Sequence, residues 1–328
     1  MHELEQYSAR FWGVQIVVFI FPLTTINCAT IAPSVIYAPT SETMTALIQP
    51  IQSGQTLLRD IETTRPQPGE IAIWWLGQSG YAIRTASALF YVDLYLSEHL
   101  TAKYAETDKP HIRMTAAPLR GDDLTGVEWI FASHKHSDHL DPGTLPQLLA
   151  RLPQAELVLP AAIVDHAVSL ELPPQRLIPI RGDETMEVGP ITVHSIPSAH
   201  PGLDYTAEQG YPFLGFVFQV DGLTLYHSGD TLVYDGLAER LNRFDIDIAF
   251  LPINGTDARR DQLKVPPNMN MHEAVALAQE IKPRLLIPHH YDMFAFNTAD
   301  VREFEPLAAE AGQPYTVLRC GERFRWKR

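Results

Sequence analysis

The chain reads as an α/β protein in which sheet layers are covered by helices, and three observations predict this. From Ile71 onward, short β-type runs follow one another, punctuated by Gly and Pro. Helical patterns lie between and after these runs rather than in a separate block. Residues of metal-ligand type fall repeatedly just behind a strand, where loops held by a rigid sheet can carry a site. At 328 residues the chain is long enough for a substantial core, and it shows no internal repeat or low-complexity tract.

Residues 1–43 form an apolar extension unlike the rest. Phe11 to Ile26 is mostly apolar but is broken by Pro22, and it falls short of the roughly 20 residues a spanning helix needs. Glu3 and Glu5 stand before it against Arg10 alone, and no small-x-small cleavage site follows, so an export signal is not expected. A membrane partner is expected only if this extension is retained in the functional chain; a product starting at Met44 is the alternative. Residues 44–70 have the composition of a helix and linker.

Residues 71–328 form the main domain. Its strands are expected at "IAIWWL" from Ile71, "YAIRT" from Tyr81, "LFYVDL" from Leu89, "VEWIFAS" from Val127 and "ELVLP" from Glu156. They continue with "ITVHSIP" from Ile191, "FLGFVFQV" from Phe213, "LTLYHSG" from Leu223, "IDIAFLP" from Ile246 and "RLLIP" from Arg284. Asp221-Gly222 reads as a hairpin turn. A helix is expected over Met271–Ile281, opened by a capping box of Asn270 and Glu273 and followed by Pro283. Another is expected over about Ala299–Ala311, capped by Thr298 and stopped by Gly312.

Composition narrows the function. Cys28 and Cys320 are the only cysteines, far apart and outside any CxxC spacing, so neither a disulfide framework nor a thiolate zinc site is indicated, and a cytoplasmic location fits. A formal charge of −14 and a pI near 5.3 argue against nucleic acid as partner. A small-molecule substrate is expected instead.

The segment "HKHSDH", residues 134–139, places three histidines and an aspartate in six positions. Neutral imidazole and carboxylate are the usual nitrogen and oxygen donors for zinc and related divalent ions, and short spacing lets one loop supply several. Further ligand-type residues follow other strands: His200, Asp230, and the pair His289 and His290. Loops at several strand ends could therefore converge on one rim.

These residues resemble the metallo-β-lactamase-fold hydrolases, whose HxHxDH signature appears as His134, His136, Asp138 and His139. "IWWLGQSG" (73–80), "ASHKHSDHLD" (132–141), "LYHSGDT" (225–231), "LPINGTDAR" (251–259) and "IPHHYDMF" (287–294) are similar to the branch containing L-ascorbate-6-phosphate lactonase. The resemblance implies an αββα four-layer sandwich. It also implies two divalent metal ions, with His134, His136 and His200 on one, Asp138, His139 and His290 on the other, and Asp230 bridging them. Asp138 and Asp230 would then be the catalytic carboxylates. His290 is preferred to His289 because the family's ligand precedes an aromatic residue, here Tyr291. No thiolate is present, so zinc, manganese or iron is compatible; the branch favours manganese and the wider fold zinc.

The activity so implied is hydrolysis of a lactone or ester of a small metabolite, phosphorylated or not, by a metal-bridged hydroxide. A phosphodiesterase or phospholipase D-like hydrolase is the alternative, and a non-catalytic, metal-stabilised binding protein is the alternative from another class. Substrate contacts are expected from Arg259, Arg260 and Asn254. His227, His289 and Asp292 are expected to support the ligands from behind. Trp74 and Trp75 offer a pocket wall, although strand alternation sends at least one to the core. His166 and His272 are expected to be structural or exposed, and His111 to belong to no constellation.

Overall fold

The computed structural model describes residues 7–11, 14–18 and 46–328. Two compact units are present, Met1–Thr45 and Ala46–Arg328. In the first, β1 (Tyr7–Phe11) and β2 (Val14–Val18) pair antiparallel, with Tyr7 opposite Val18. The rest of the apolar extension, Pro22 included, lies outside the described residues. Among the described residues no helix is long and apolar enough to cross a membrane.

The second unit is built on two sheets. The chain enters through helix α1 (Gly54–Thr63), then β3 (Glu70–Gly77), β4 (Gly80–Arg84), β5 (Leu89–Val92), α2 (His99–Lys103), β6 (Trp129–Phe131), α3 (Leu145–Arg151), β7 (Glu156–Pro160), α4 (Val164–Ser169) and β8 (Leu177–Ile180). With the C-terminal β15 (Arg323–Lys327), these strands form a seven-stranded sheet in the order β15-β3-β4-β5-β6-β7-β8. The second sheet contains β9 (Thr185–Val188), β10 (Ile191–Pro197), β11 (Leu214–Val220), β12 (Leu223–His227), β13 (Ile248–Pro252) and β14 (Leu285–His289), in the order β14-β13-β12-β11-β10-β9. Helices α5 (Leu237–Leu241), α6 (Ala258–Gln262), α7 (Met271–Ile281) and α8 (Val301–Glu310) complete it.

Strand alternation separates the layers. In β3, Ile71, Ile73 and Trp75 join the core shared by both sheets, while Ala72, Trp74 and Leu76 face a second core built with α1, α3 and α4. The shared core continues through the second sheet to α5, α7 and α8, giving the αββα order of layers. Both tryptophans are therefore core. Helix α1 buries Leu57, Leu58 and Ile61 against Trp74, so residues after Ala46 belong to the same compact unit as the domain.

Local chemistry explains the boundaries. Asp221 and Gly222 adopt φ of +51° and +78°, which turns β11 into β12 as a two-residue hairpin. Helix α7 has its capping box, with the Asn270 side chain accepting from His272 and Glu273 and the Glu273 carboxylate accepting from the Asn270 N–H. Helix α8 begins later than the sequence suggests. Asp300, not Thr298, accepts from Arg302 N–H as its cap, while Thr298 Oγ1 accepts the Asp292 N–H instead.

Candidate metal centre

Strand ends place the donors. The loop after β6 carries His134 to His139, and the chain reaches His200 after β10, Asp230 after β12 and His290 after β14. The first loop folds on itself, His139 and Leu140 both donating their N–H to the His136 carbonyl at 2.9 and 2.8 Å. Asp141 clamps its far end. Fully buried, it accepts from the Leu96, Ser97 and Gly143 amides and from the Ser97 and Thr144 hydroxyls, at 2.6 to 3.1 Å. Gly229 sets the approach of Asp230: its φ is +58°, and a Cβ there would stand 2.6 Å from Ser133 Cβ and 2.9 Å from the Leu214 carbonyl oxygen.

Three overlapping groups result. His134, His136 and His200 bring one ring nitrogen each within 4.8 Å of one another, Asp138, His139 and His290 bring a carboxylate oxygen and two ring nitrogens equally close, and His134, His139 and Asp230 form a third such group. Asp230 reaches both sides, with Oδ2 3.7 Å from His200 Nε2 and 3.4 Å from His290 Nε2, and Oδ1 3.4 Å from His139 Nε2. His139 Nε2 and Asp230 Oδ1 face each other without hydrogen-bond geometry, and with His290 Nδ1 they are buried polar atoms lacking a partner. Such orphans are costly, and a cation among the donors would satisfy those that point at it. These residues fit divalent ions in chemistry and spacing.

Support behind the donors fixes which nitrogen points inward. His139 Nδ1 is 2.7 Å from Asp93 Oδ2, and Asp93 in turn accepts from Ser133 N–H at 2.7 Å and Ser133 Oγ at 2.8 Å. His200 Nδ1 donates to the Pro267 carbonyl at 3.0 Å, which leaves Nε2 for the centre. His289 belongs to this supporting layer: its Nδ1 lies 3.0 Å from Ser79 Oγ, and its ring stacks on His227 at 5.1 Å. His227 donates from Nε2 to the Ser79 carbonyl while Nδ1 accepts the Gly229 N–H, and Nδ1 stands 4.0 Å from Asp93. Asp292 differs from expectation. Its backbone is engaged by Thr115 and Thr298, and its carboxylate makes no hydrogen bond to a site histidine.

Charge states follow from this packing. Burial, reinforced by neighbouring imidazoles, holds His134 and His200 below the ordinary histidine range and brings His136 down to about 4, so all three are neutral donors near pH 7. Burial would also lower His139, but attraction to Asp230, Asp93 and Asp138 outweighs it and raises that ring. Burial would raise Asp230, yet His139 and His290 hold it well below the usual carboxylate range.

The centre opens into a cavity of about 320 Å³ walled by His136, Asp138, His200, Asp230 and His290, with Lys103, Lys109, Lys135 and Lys264 around it. The expected substrate contacts are elsewhere. Arg259 is exposed outside the cavity. Arg260 is buried and spent on Asp257 Oδ2 at 2.8 Å and the Asn254 carbonyl at 2.9 Å. Asn254 binds Asn268 and Asn297, and only Asn297, held by Arg260 and Asn254 together, reaches the wall. A polar loop in the sequence cannot be told from a lining loop, because its direction depends on partners distant in the chain. His111, expected to belong to no constellation, also lines the cavity, and so does the half-exposed His166 of α4. Asp93 gives little sign of its role in the sequence beyond being a carboxylate that ends the apolar run "LFYV".

Comparison with known proteins agrees with this architecture. Residues 105–291 match the model of the beta-lactamase superfamily domain. A metal-dependent hydrolase of Pyrococcus furiosus is 29% identical over 208 residues, covering 63% of this chain and 84% of that protein. The probable L-ascorbate-6-phosphate lactonase of Escherichia fergusonii is 23% identical over 312 residues, covering 83% of this chain and 86% of its own. Among solved structures, an isothiocyanate hydrolase from Delia radicum gut bacteria has a TM-score of 0.61 at 16% identity, over 78% of this chain and all of that one. A metallo hydrolase from Ignicoccus hospitalis has a TM-score of 0.58 at 18% identity, over 79% and 99%. Fold, donor set and matched family converge: the chain belongs to the beta-lactamase superfamily and is a metal-dependent hydrolase.

Proposed function

We propose that this enzyme hydrolyses a lactone or related ester of a small anionic metabolite, using two divalent ions, zinc or manganese. The observation that carries the reading is the pair of donor triads meeting at Asp230 beneath a cavity ringed by lysines. His134, His136 and His200 are assigned to one ion, Asp138, His139 and His290 to the other, and Asp230 to both. Bound ions supply the Lewis acidity that polarises a carbonyl and makes water nucleophilic near neutral pH.

The chain's own residues do the rest. Asp93 and the Pro267 carbonyl hold the His139 and His200 rings so that Nε2 faces the centre. Asp230 and Asp138 stay ionised, as their lowered titration requires, and so keep their acceptor oxygens free of protons. The lysines attract an anionic substrate, and an acidic protein of charge −14 otherwise repels one. A phosphate or carboxylate on the substrate fits those ammonium groups, and the lactonase similarity supports a phosphorylated sugar-like acid.

The test is a panel of lactones, phosphodiesters and phosphomonoesters, each with and without an added anionic group, assayed with metal-replete enzyme and with Asp230→Ala. Turnover should be highest on anionic lactones or esters and absent in the variant. Preference for phosphodiesters would replace the carbonyl reaction with phosphoryl chemistry at the same centre, and turnover surviving Asp230→Ala would remove the assignment of the site.

A further inference from the structure

The turn from β3 to β4 holds a residue that the donor set does not include. Gln78 follows Gly77 with φ +53°, in left-handed backbone that non-glycine residues seldom adopt, and its side chain is fully buried. Burying a long amide costs free energy unless its polar atoms are used. Its backbone is used well: the carbonyl accepts from Trp75 Nε1 at 2.9 Å and from the His290 N–H at 3.1 Å. Its side chain reaches between two residues of the second triad, with Nε2 2.8 Å from Asp138 Oδ2 and 3.1 Å from His290 Nε2. Oε1 has no partner.

Those distances have a coordination meaning. Metal–donor bonds of about 2.1 Å place neighbouring donors of an octahedral ion about 3.0 Å apart. The amide end of Gln78 stands at that separation from both Asp138 and His290. With its NH2 group toward a carboxylate and an imidazole lone pair, the amide is a donor to both. A cation held by those same two atoms reverses the preference, because a positive charge repels NH2 hydrogens and attracts the amide oxygen. Rotation of the terminal amide by half a turn exchanges Nε2 and Oε1 with little displacement of the side chain.

Resting on the two-ion reading above, we propose that Gln78 is a further ligand, through Oε1, of the ion held by Asp138, His139 and His290. A neutral oxygen donor added to that set favours a hard ion of higher coordination number, so this position prefers manganese to zinc more strongly than the three-histidine position does.

Gln78→Glu and Gln78→Met decide the matter. Chelator-stripped wild type and both variants are titrated calorimetrically with manganese and separately with zinc, and the equivalent lost in Asp138→Asn identifies the site being read. Glutamate retains the oxygen donor and adds charge, so it should tighten manganese at that site by about tenfold or more. Methionine removes the donor at similar length, so it should weaken manganese more than zinc and change the manganese electron paramagnetic resonance spectrum. Weakening of both metals by Gln78→Glu would overturn the proposal, since a carboxylate beside Asp138 harms the site only if Gln78 serves as an N–H donor. An unchanged manganese-to-zinc preference in Gln78→Met would overturn it too, and that arm decides alone if the glutamate variant does not fold. Wild type that takes up a single equivalent would remove the two-ion reading and this assignment with it, which is distinguishable from wild type binding two with Gln78 indifferent.

Discussion

His139 is held between Asp93 at 2.7 Å and Asp230 at 3.4 Å, and its raised titration means that in metal-free protein it carries a proton near pH 7. An ion at its Nε2 has to displace that proton. Metal binding at pH 7 should therefore release protons, measurable as a dependence of the calorimetric heat on the buffer's ionisation enthalpy. Asp93→Asn should lower metal affinity about 10- to 100-fold, the usual cost of losing such support, with the circular dichroism spectrum retained. Acid acts on the other rings. His136, His134 and His200 titrate below the reference value of 6.5 when folded, His136 at about 4, so the unfolded chain binds more protons in this window. Their stabilising contribution is present above about pH 6.5 and is lost as pH falls toward 4, while that of His139, whose folded titration is raised, stays constant below 6.5 and fades only on the alkaline side. Chelator-treated protein should accordingly show a falling denaturation midpoint between pH 6.5 and 4. The donors themselves were legible in the sequence because ligand chemistry demands particular residue types at short spacing. Asp93 and Gln78 were not, because each acquires its role only by meeting residues far along the chain.

Elements with a buried face were legible for a related reason. Strands β3, β10 and β12 carry apolar residues at a spacing of two or in unbroken runs, as burial on one or both faces requires. Strand β15 was missed because "RFRWK" alternates charge with aromatics at a sheet edge, and its exposed arginines and lysine resemble a loop. Strands β8 and β9 were missed because they are short and mostly half-exposed or exposed. At this scale, the bend holding Asp230 is the most constrained. Gly229→Ala places a Cβ against Ser133 and the Leu214 carbonyl at φ +58°, which should destabilise the protein by about 1–3 kcal/mol and weaken metal binding together. Asn270→Ala removes a side chain that accepts only from the first turn of α7 and should cost about 1 kcal/mol in chemical denaturation without altering metal content.

Across the whole molecule, the sandwich brings the ends of strands from both sheets to one rim, so histidines from residues 134 to 290 meet there while the cores below stay apolar. Net charge and cavity charge oppose each other: 39 acidic against 25 basic residues overall, yet four lysines surround the centre. Composition could show the first and not the second, because Lys103 and Lys109 come from a polar stretch with no spacing signal and Lys135 looks like a spacer between two ligands. Lys135→Glu or Lys264→Glu should raise KM for an anionic substrate about 2- to 5-fold each at low salt with little change in kcat, and the effect should shrink as ionic strength rises. On the proposed reading, hydrolysis depends on two ions sharing Asp230. Chelator-stripped enzyme titrated with manganese or zinc, with bound metal and turnover measured on the same samples, tests it directly. Turnover should follow the second equivalent bound and be absent from Asp230→Ala at every metal concentration; full turnover with one equivalent, or with none, would contradict it.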